Sequence, residues 1–177
     1  MEHIVTFDVE TQYLADEVGG WSRICDMRLA TAVTYDAATD TYRDYDEGSV
    51  DGLIAQLMNA DLVVGYNVLR FDYEVLSAYT QEDLRKLPTV DMLQQLYRTL
   101  GWRPKLDSVA EATLGKKKSA DGIQAVYWFR DGKVKEVIEY CRRDVEVTWG
   151  VYDFGRRNGF VKYRDRRWRA QTVPVKW

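Results

Sequence analysis

The chain has 177 residues, 46% hydrophobic and 13% aromatic, with a formal net charge of −3. That is enough apolar material for one buried core and too much for a disordered chain. No apolar run is long enough to span a bilayer, and the two cysteines, Cys25 and Cys141, show neither metal-ligand nor redox spacing, so free thiols in a cytoplasmic protein, with no membrane involvement, are expected.

In chain order, Ile4 to Phe7 is a short apolar run closed by acidic residues and reads as a buried strand. Met27 to Tyr35 and Tyr42 to Tyr45 read as a hairpin around the turn Asp36 to Asp40. Ser49 or Asp51 is the expected cap of a helix carrying Leu53, Ile54, Leu57 and Met58 on one face. Leu62-Val63-Val64 is a fourth strand ended by Gly65, and a helix is expected near Phe71. Thr80 to Asp83 reads as a capping signal for a short helix before Pro88.

Thr89-Val90-Asp91 is a brief strand, followed by helices at Met92 to Leu100 and Leu106 to Leu114, closed by Gly101 and Gly115, with Asp107 expected as a cap. Lys116 to Asp121 reads as an exposed loop and Ile123 to Phe129 as a helix. A long helix runs from about Lys133 to Gly155, and Phe160 to Tyr163 with Thr172 to Val175 is expected to form a terminal hairpin. The whole is an α/β domain with a mixed sheet flanked by helices, in one unit over residues 1–177: a core at about 4–155 and a basic extension at 156–177.

Four carboxylates stand out within these elements. Asp8 and Glu10 lie at i and i+2 in Phe7-Asp8-Val9-Glu10-Thr11, so on a regular strand they share a face. Two carboxylates side by side repel unless a cation sits between them. Asp72 follows Gly65-Tyr66-Asn67 in a strand-then-helix frame, where Asn67 is placed to cap the turn through its side chain. Tyr140 and Asp144 are four apart on the long helix and share a face. Oxygen ligands of this kind suit Mg²⁺ or Mn²⁺ rather than zinc. Two such ions about 3.5–4 Å apart clamp the attacking and leaving oxygens of a phosphodiester.

Charge is also uneven. Met1 to Ala60 holds 12 acidic residues against Arg23, Arg28 and Arg43, whereas in Phe154 to Trp177 eight basic residues face only Asp165. A basic end beside an acidic body suits a polyanion held near carboxylate-bound metal.

Taken together, the three frames resemble the DEDD superfamily of 3′–5′ exonucleases with the ribonuclease-H-like fold. The tyrosine four residues before Asp144, with Glu139 where the other branch has histidine, resembles the DEDDy branch. Gly-Tyr-Asn-x-x-x-Phe-Asp and Tyr-Cys-x-x-Asp are most similar to proofreading domains of family B DNA polymerases, and to stand-alone or helicase-associated bacterial exonuclease-like domains.

The resemblance covers about Ile4 to Val151 and implies two divalent cations, Mg²⁺ or Mn²⁺. In it, Asp8 bridges both ions, Glu10 and Asp144 complete the first site, Asp72 holds the second, and Tyr140 positions the attacking water. It also implies substrate contacts at Asn67, Thr11 and Phe71, with Leu14 as an apolar wedge between the last two bases. Expected partners are single-stranded DNA or RNA 3′ ends and a helicase or other nucleic-acid-processing protein.

Two alternatives remain open. One is a catalytically silent nucleic-acid-binding or helicase-docking module of the same fold. The other is a haloacid-dehalogenase-like phosphatase with Asp8 as nucleophile, although no downstream Gly-Asp-x-x-x-Asp pattern accompanies it. Lys105 and the run Lys116-Lys117-Lys118 are candidate phosphate contacts, and exposed tryptophans such as Trp102 are candidate base-stacking platforms.

Overall fold

A computed structural model describes residues 2–116, 122–165 and 167–177. Of the lysine run, Lys117 and Lys118 lie outside the described residues. The elements are β1 (Ile4–Thr11), β2 (Leu29–Asp36), β3 (Thr41–Tyr45), α1 (Val50–Met58), β4 (Leu62–Gly65), α2 (Asp72–Leu76), β5 (Thr89–Asp91), α3 (Met92–Leu100), α4 (Leu106–Leu114), α5 (Gly122–Arg130), α6 (Val134–Asn158), β6 (Phe160–Arg164) and β7 (Ala170–Pro174). The main sheet has the order β3-β2-β1-β4-β5, antiparallel from β1 to β3 and parallel from β1 to β5. This is the mixed sheet expected from the sequence, with helices on both faces.

The alternation along β1 explains the layering. Val5, Phe7 and Val9 enter a core with Leu53, Ile54 and Leu57 of α1 and Val75 and Leu76 of α2. Ile4 points the other way, into a core with Val64, Val109, Val151 and Tyr152. Burying side chains of this size contributes roughly 1.5–3 kcal/mol each.

β1 is longer than its apolar run. It continues through Asp8 and Glu10 to Thr11 because β2 stays paired with it: Asp8 opposes Val33 and Glu10 opposes Thr31. The ladder bonds belong to the backbone, so acidic side chains do not end the strand. On its other edge β1 pairs with β4 only as far as Thr6. From Phe7 onward that edge is open.

Some expected caps differ. Asp107 falls inside the first turn of α4, and Lys105 occupies the N-cap position without a side-chain bond. Ser49 precedes α1, but its hydroxyl and amide are engaged by Asp46, which caps the preceding 3₁₀ turn. The Thr80–Asp83 signal produces only the 3₁₀ turn Leu84–Lys86, capped by Asp83. Pro88 follows too closely for a longer helix to propagate.

The C-terminal hairpin pairs Phe160 with Pro174 and Arg164 with Ala170. Side chains of α4 cover the edge of β6: Lys162 N–H donates to Thr113 Oγ1 at 2.9 Å and Arg164 N–H to Ser108 Oγ at 3.1 Å. Covering an edge in this way removes a template for unwanted strand pairing. Trp177 lies against Gly155 and donates to Tyr152 O at 3.0 Å, fastening the end of the chain to α6. Among the described residues no helix is long and apolar enough to cross a membrane.

Candidate active site

On β1, Asp8 and Glu10 point to the side on which α6 crosses β1 and β2. The contact between strand and helix is made by Cys141, which is fully buried and donates from Sγ to Asp8 O at 3.3 Å and to Asp8 Oδ2 at 3.6 Å. That docking sets the rotation of α6. Asp144, one turn on from Tyr140, lines the same cleft, and the Tyr140 hydroxyl is hydrogen-bonded with it. The Tyr140 ring is held edge-on by Trp128 of α5, with centroids 6.2 Å apart.

Asp72 arrives from the opposite side. It begins α2, and its Oδ1 accepts the Val9 N–H at 3.1 Å. Val9 lies beyond the last residue that β4 pairs with, so the carboxylate takes a ladder donor the sheet leaves free. The loop delivering Asp72 is shaped by Asp91, whose carboxylate accepts from the N–H groups of Asn67 (2.9 Å), Leu69 (3.1 Å) and Gln94 (3.1 Å).

Asn67 does not cap the turn with its side chain. It adopts φ +73°, a conformation asparagine tolerates better than most residues, and its Oδ1 accepts from Arg103. Asp91→Ala, which strands three amides, is expected to destabilise the fold by about 1–3 kcal/mol in chemical denaturation. Asp91→Asn should fall between it and the parent.

The four carboxylates line one cleft of about 750 Å³, together with Thr11, Leu14, Asn67 and Phe71. Tyr140 adjoins it through Asp144. Burial, then the charges of Asp72, Glu10 and Asp144, push Asp8 well above the usual carboxylate range. Burial, then Asp144 and Asp72, do the same to Glu10. Asp72, 1% exposed, is pushed up to about 7 by burial, against the lowering effect of the Val9 amide.

An array of acids forced toward the neutral form by one another fits hard divalent cations, which restore the charged form. Asp8 and Glu10 present oxygens within 4.8 Å of each other and of Cys141 Sγ. Cys141 is a poor ligand for such ions: burial and the nearby carboxylates push its thiol up, so it stays a protonated donor to Asp8.

These shifts give a pH signature. A carboxyl whose pKa is higher folded than unfolded stabilises the fold fully below its unfolded value and loses that contribution as pH rises through its folded value. For Asp72, moving from 3.8 to about 7 corresponds to about 4 kcal/mol lost by pH 8. The metal-free protein is therefore expected to melt progressively lower as pH rises from about 5 to 8. Mg²⁺ or Mn²⁺ should raise the melting temperature most at the upper end, where no proton competes. A flat metal-free profile in thermal melts would contradict this.

Several features of the cleft carry no local signal in the sequence. Cys141 and Asp91 read there as a free thiol and a strand end, and Trp21, Met27, Ile123 and Val126 complete the walls from distant segments. Lys105, a candidate phosphate contact, does line the cleft. Thr11 is buried and donates from Oγ1 to Tyr13 O at 3.0 Å.

Comparison with known proteins agrees with this architecture. No curated protein matches the sequence. Among solved structures, the chain is similar to the family B DNA polymerase from the hyperthermophilic archaeon Pyrobaculum calidifontis, with TM-score 0.63 and 18% identity. The match covers 88% of this chain and 24% of the polymerase chain, and the likeness is one of fold. A family model, RNase_H_2 of the RNase H superfamily, matches residues 5–154. With that match spanning most of the chain and the mixed sheet carrying its acidic cleft, the protein belongs to the RNase H superfamily.

Proposed function

We propose that the chain is a divalent-metal-dependent 3′–5′ exonuclease of the DEDDy type, releasing nucleoside 5′-monophosphates from single-stranded nucleic acid. The observation that carries this reading is the convergence of Asp8, Glu10, Asp72 and Asp144 on one cleft, with Tyr140 bonded to Asp144. Asp8, Glu10 and Asp144 would hold one Mg²⁺ or Mn²⁺, and Asp8 and Asp72 the other. When bound, such a pair supplies Lewis-acid stabilisation of the phosphodiester and a water of lowered pKa.

The chain's own groups do the rest. Burial and the adjacent carboxylates push the Tyr140 phenol up, so it stays neutral and can orient a water by hydrogen bonding. Cys141 fixes the Asp8 carboxylate, and the Val9 amide fixes that of Asp72. Leu14 and Phe71 offer apolar wall to the terminal bases, with Thr11 and Asn67 beside them. Unpaired 3′ ends of DNA or RNA are the proposed substrate, and a helicase or other strand-separating protein would supply them.

The other readings fit less well. A silent binding module has no use for acids crowded into one cleft, two of them, Glu10 and Asp72, buried. A phosphatase nucleophile at Asp8 would have to attack while hemmed in by three further carboxylates. The test is to incubate 5′-labelled single-stranded DNA and RNA with the protein in Mg²⁺ and in Mn²⁺. A ladder shortening from the 3′ end is expected, and intact oligonucleotides in every lane would refute the proposal.

A further inference from the structure

A second concavity of about 530 Å³ lies beside the cleft, between the start of α4 and the turn of the C-terminal hairpin. Trp102 and Trp168 form its apolar walls, and Arg103, Lys105 and Arg164 its cationic ones. Lys105 also lines the carboxylate cleft, and Arg103 donates to Asn67 of that cleft's lining, so the two hollows adjoin.

Acids are present too, but those with resolved partners are engaged. Glu111 faces Arg164 at 3.7 Å, and Asp165 accepts from the side chain of Arg169 at 3.1 Å and from the amides of Arg167 and Arg169. Asp107 also lines the hollow.

Folding does not explain Trp168. Trp168 is 72% exposed, and its backbone has φ +59°, a conformation that bulky residues avoid. The backbone of Trp168 is held at both ends: its N–H donates to Asp165 O at 2.9 Å, and Arg164 donates to its carbonyl at 3.2 Å. Trp102 is 37% exposed, with its ring braced edge-on against Tyr163 at 5.6 Å. The hairpin carrying Trp168 and Tyr163 is clamped to α4 by Ser108 and Thr113. Rigid aromatic rings in water beside guanidinium and ammonium groups match unpaired nucleic acid, whose bases stack and whose phosphates seek cations.

We propose that this hollow is the track for the unpaired strand on the 5′ side of the nucleotide in the cleft. Trp102 and Trp168 stack on bases, and Arg103, Lys105 and Arg164 hold phosphates. Which end of the strand lies in the cleft rests on the exonuclease reading; the binding itself does not.

The test is fluorescence anisotropy with labelled oligothymidylate of about 15 nucleotides, and its RNA counterpart, on the whole chain in EDTA. Alongside it, hydrolysis of a dinucleotide, which has no phosphodiester besides the scissile one to place in the hollow, is followed in Mn²⁺. Trp168→Ala is expected to weaken long-strand binding about tenfold, Trp168→Tyr to recover most of it and Trp168→Leu little. Dinucleotide turnover should not change. Unaltered affinity in Trp168→Ala and Trp102→Ala, equal recovery by leucine, or no binding by the parent would overturn the proposal. So would a dimer that Trp168→Ala dissociates with strand affinity unchanged. Binding that depends on Trp168 while neither substrate is shortened would uphold the track and refute the exonuclease.

Discussion

Asp8→Ala is expected to remove exonuclease activity, by about 10³-fold or more, while leaving the fold intact. Asp8 is the acid on which Asp72, Glu10 and Asp144 all act, and it is the group Cys141 holds in place. A loss of that size is about 4 kcal/mol of transition-state stabilisation, within what a bound metal centre contributes. Stability should move the opposite way. Removing one acid from a repelling, partly desolvated group relieves its neighbours, so the metal-free variant should melt higher than the parent at pH 8. Nuclease assays and thermal melts on one preparation read both effects. Tyr140→Phe keeps the ring against Trp128 and should retain the metal-induced rise in melting temperature while lowering turnover. Full activity in Asp8→Ala would end the proposed mechanism, and a variant both inactive and unfolded would assign Asp8 a structural role.

Gly65→Ala is expected to damage both fold and activity although Gly65 is not a ligand. A Cβ there would lie 2.1 Å from Val68 Cγ1, and Val68 is fully buried and β-branched, so it cannot swing aside. Overpacking of this kind costs about 1–3 kcal/mol. The strain falls on the loop that carries Asn67, Phe71 and Asp72, and a displacement of about 1 Å there can cost on the order of 10²-fold in rate. Val68→Ala added to Gly65→Ala removes the clashing methyl groups. The double variant should recover activity relative to Gly65→Ala even though Val68→Ala alone opens a cavity. No recovery would mean that Gly65 acts through something other than Val68.

Much of the architecture was legible in local patterns. The alternation and β-branched runs of β1, β2 and β4, the helical spacing of α3 and α6, and the glycines that close α3 and α4 at positive φ all write their elements directly, whereas α6 runs past Gly155, its expected end, to Asn158 and is closed by Gly159. The four carboxylates stood out because acids at strand ends and on a helix face are chemically conspicuous. Less legible were the extent of β1 beyond its apolar run, the cap positions at Asp46 and Lys105, and the loop conformation at Asn67. Each depends on a partner elsewhere: β2 for the strand, a preceding 3₁₀ turn for α1, and Asp91 and Arg103 for the loop.

By itself, then, the sequence determined which residues alternate and which faces are apolar, and it singled out Asp8, Glu10, Asp72, Tyr140 and Asp144 as the candidate site. The tertiary structure alone decided that the Asp72 carboxylate meets the Val9 amide across 63 residues and that the Cys141 thiol meets Asp8 across 133. It also brought Trp102 and Trp168 to one hollow that shares Lys105 with the cleft. The physical reason is range. Propensity, periodicity and capping act within a few residues of chain, whereas these contacts exist only because two cores pack on opposite faces of β1 and bring distant segments to its open edge.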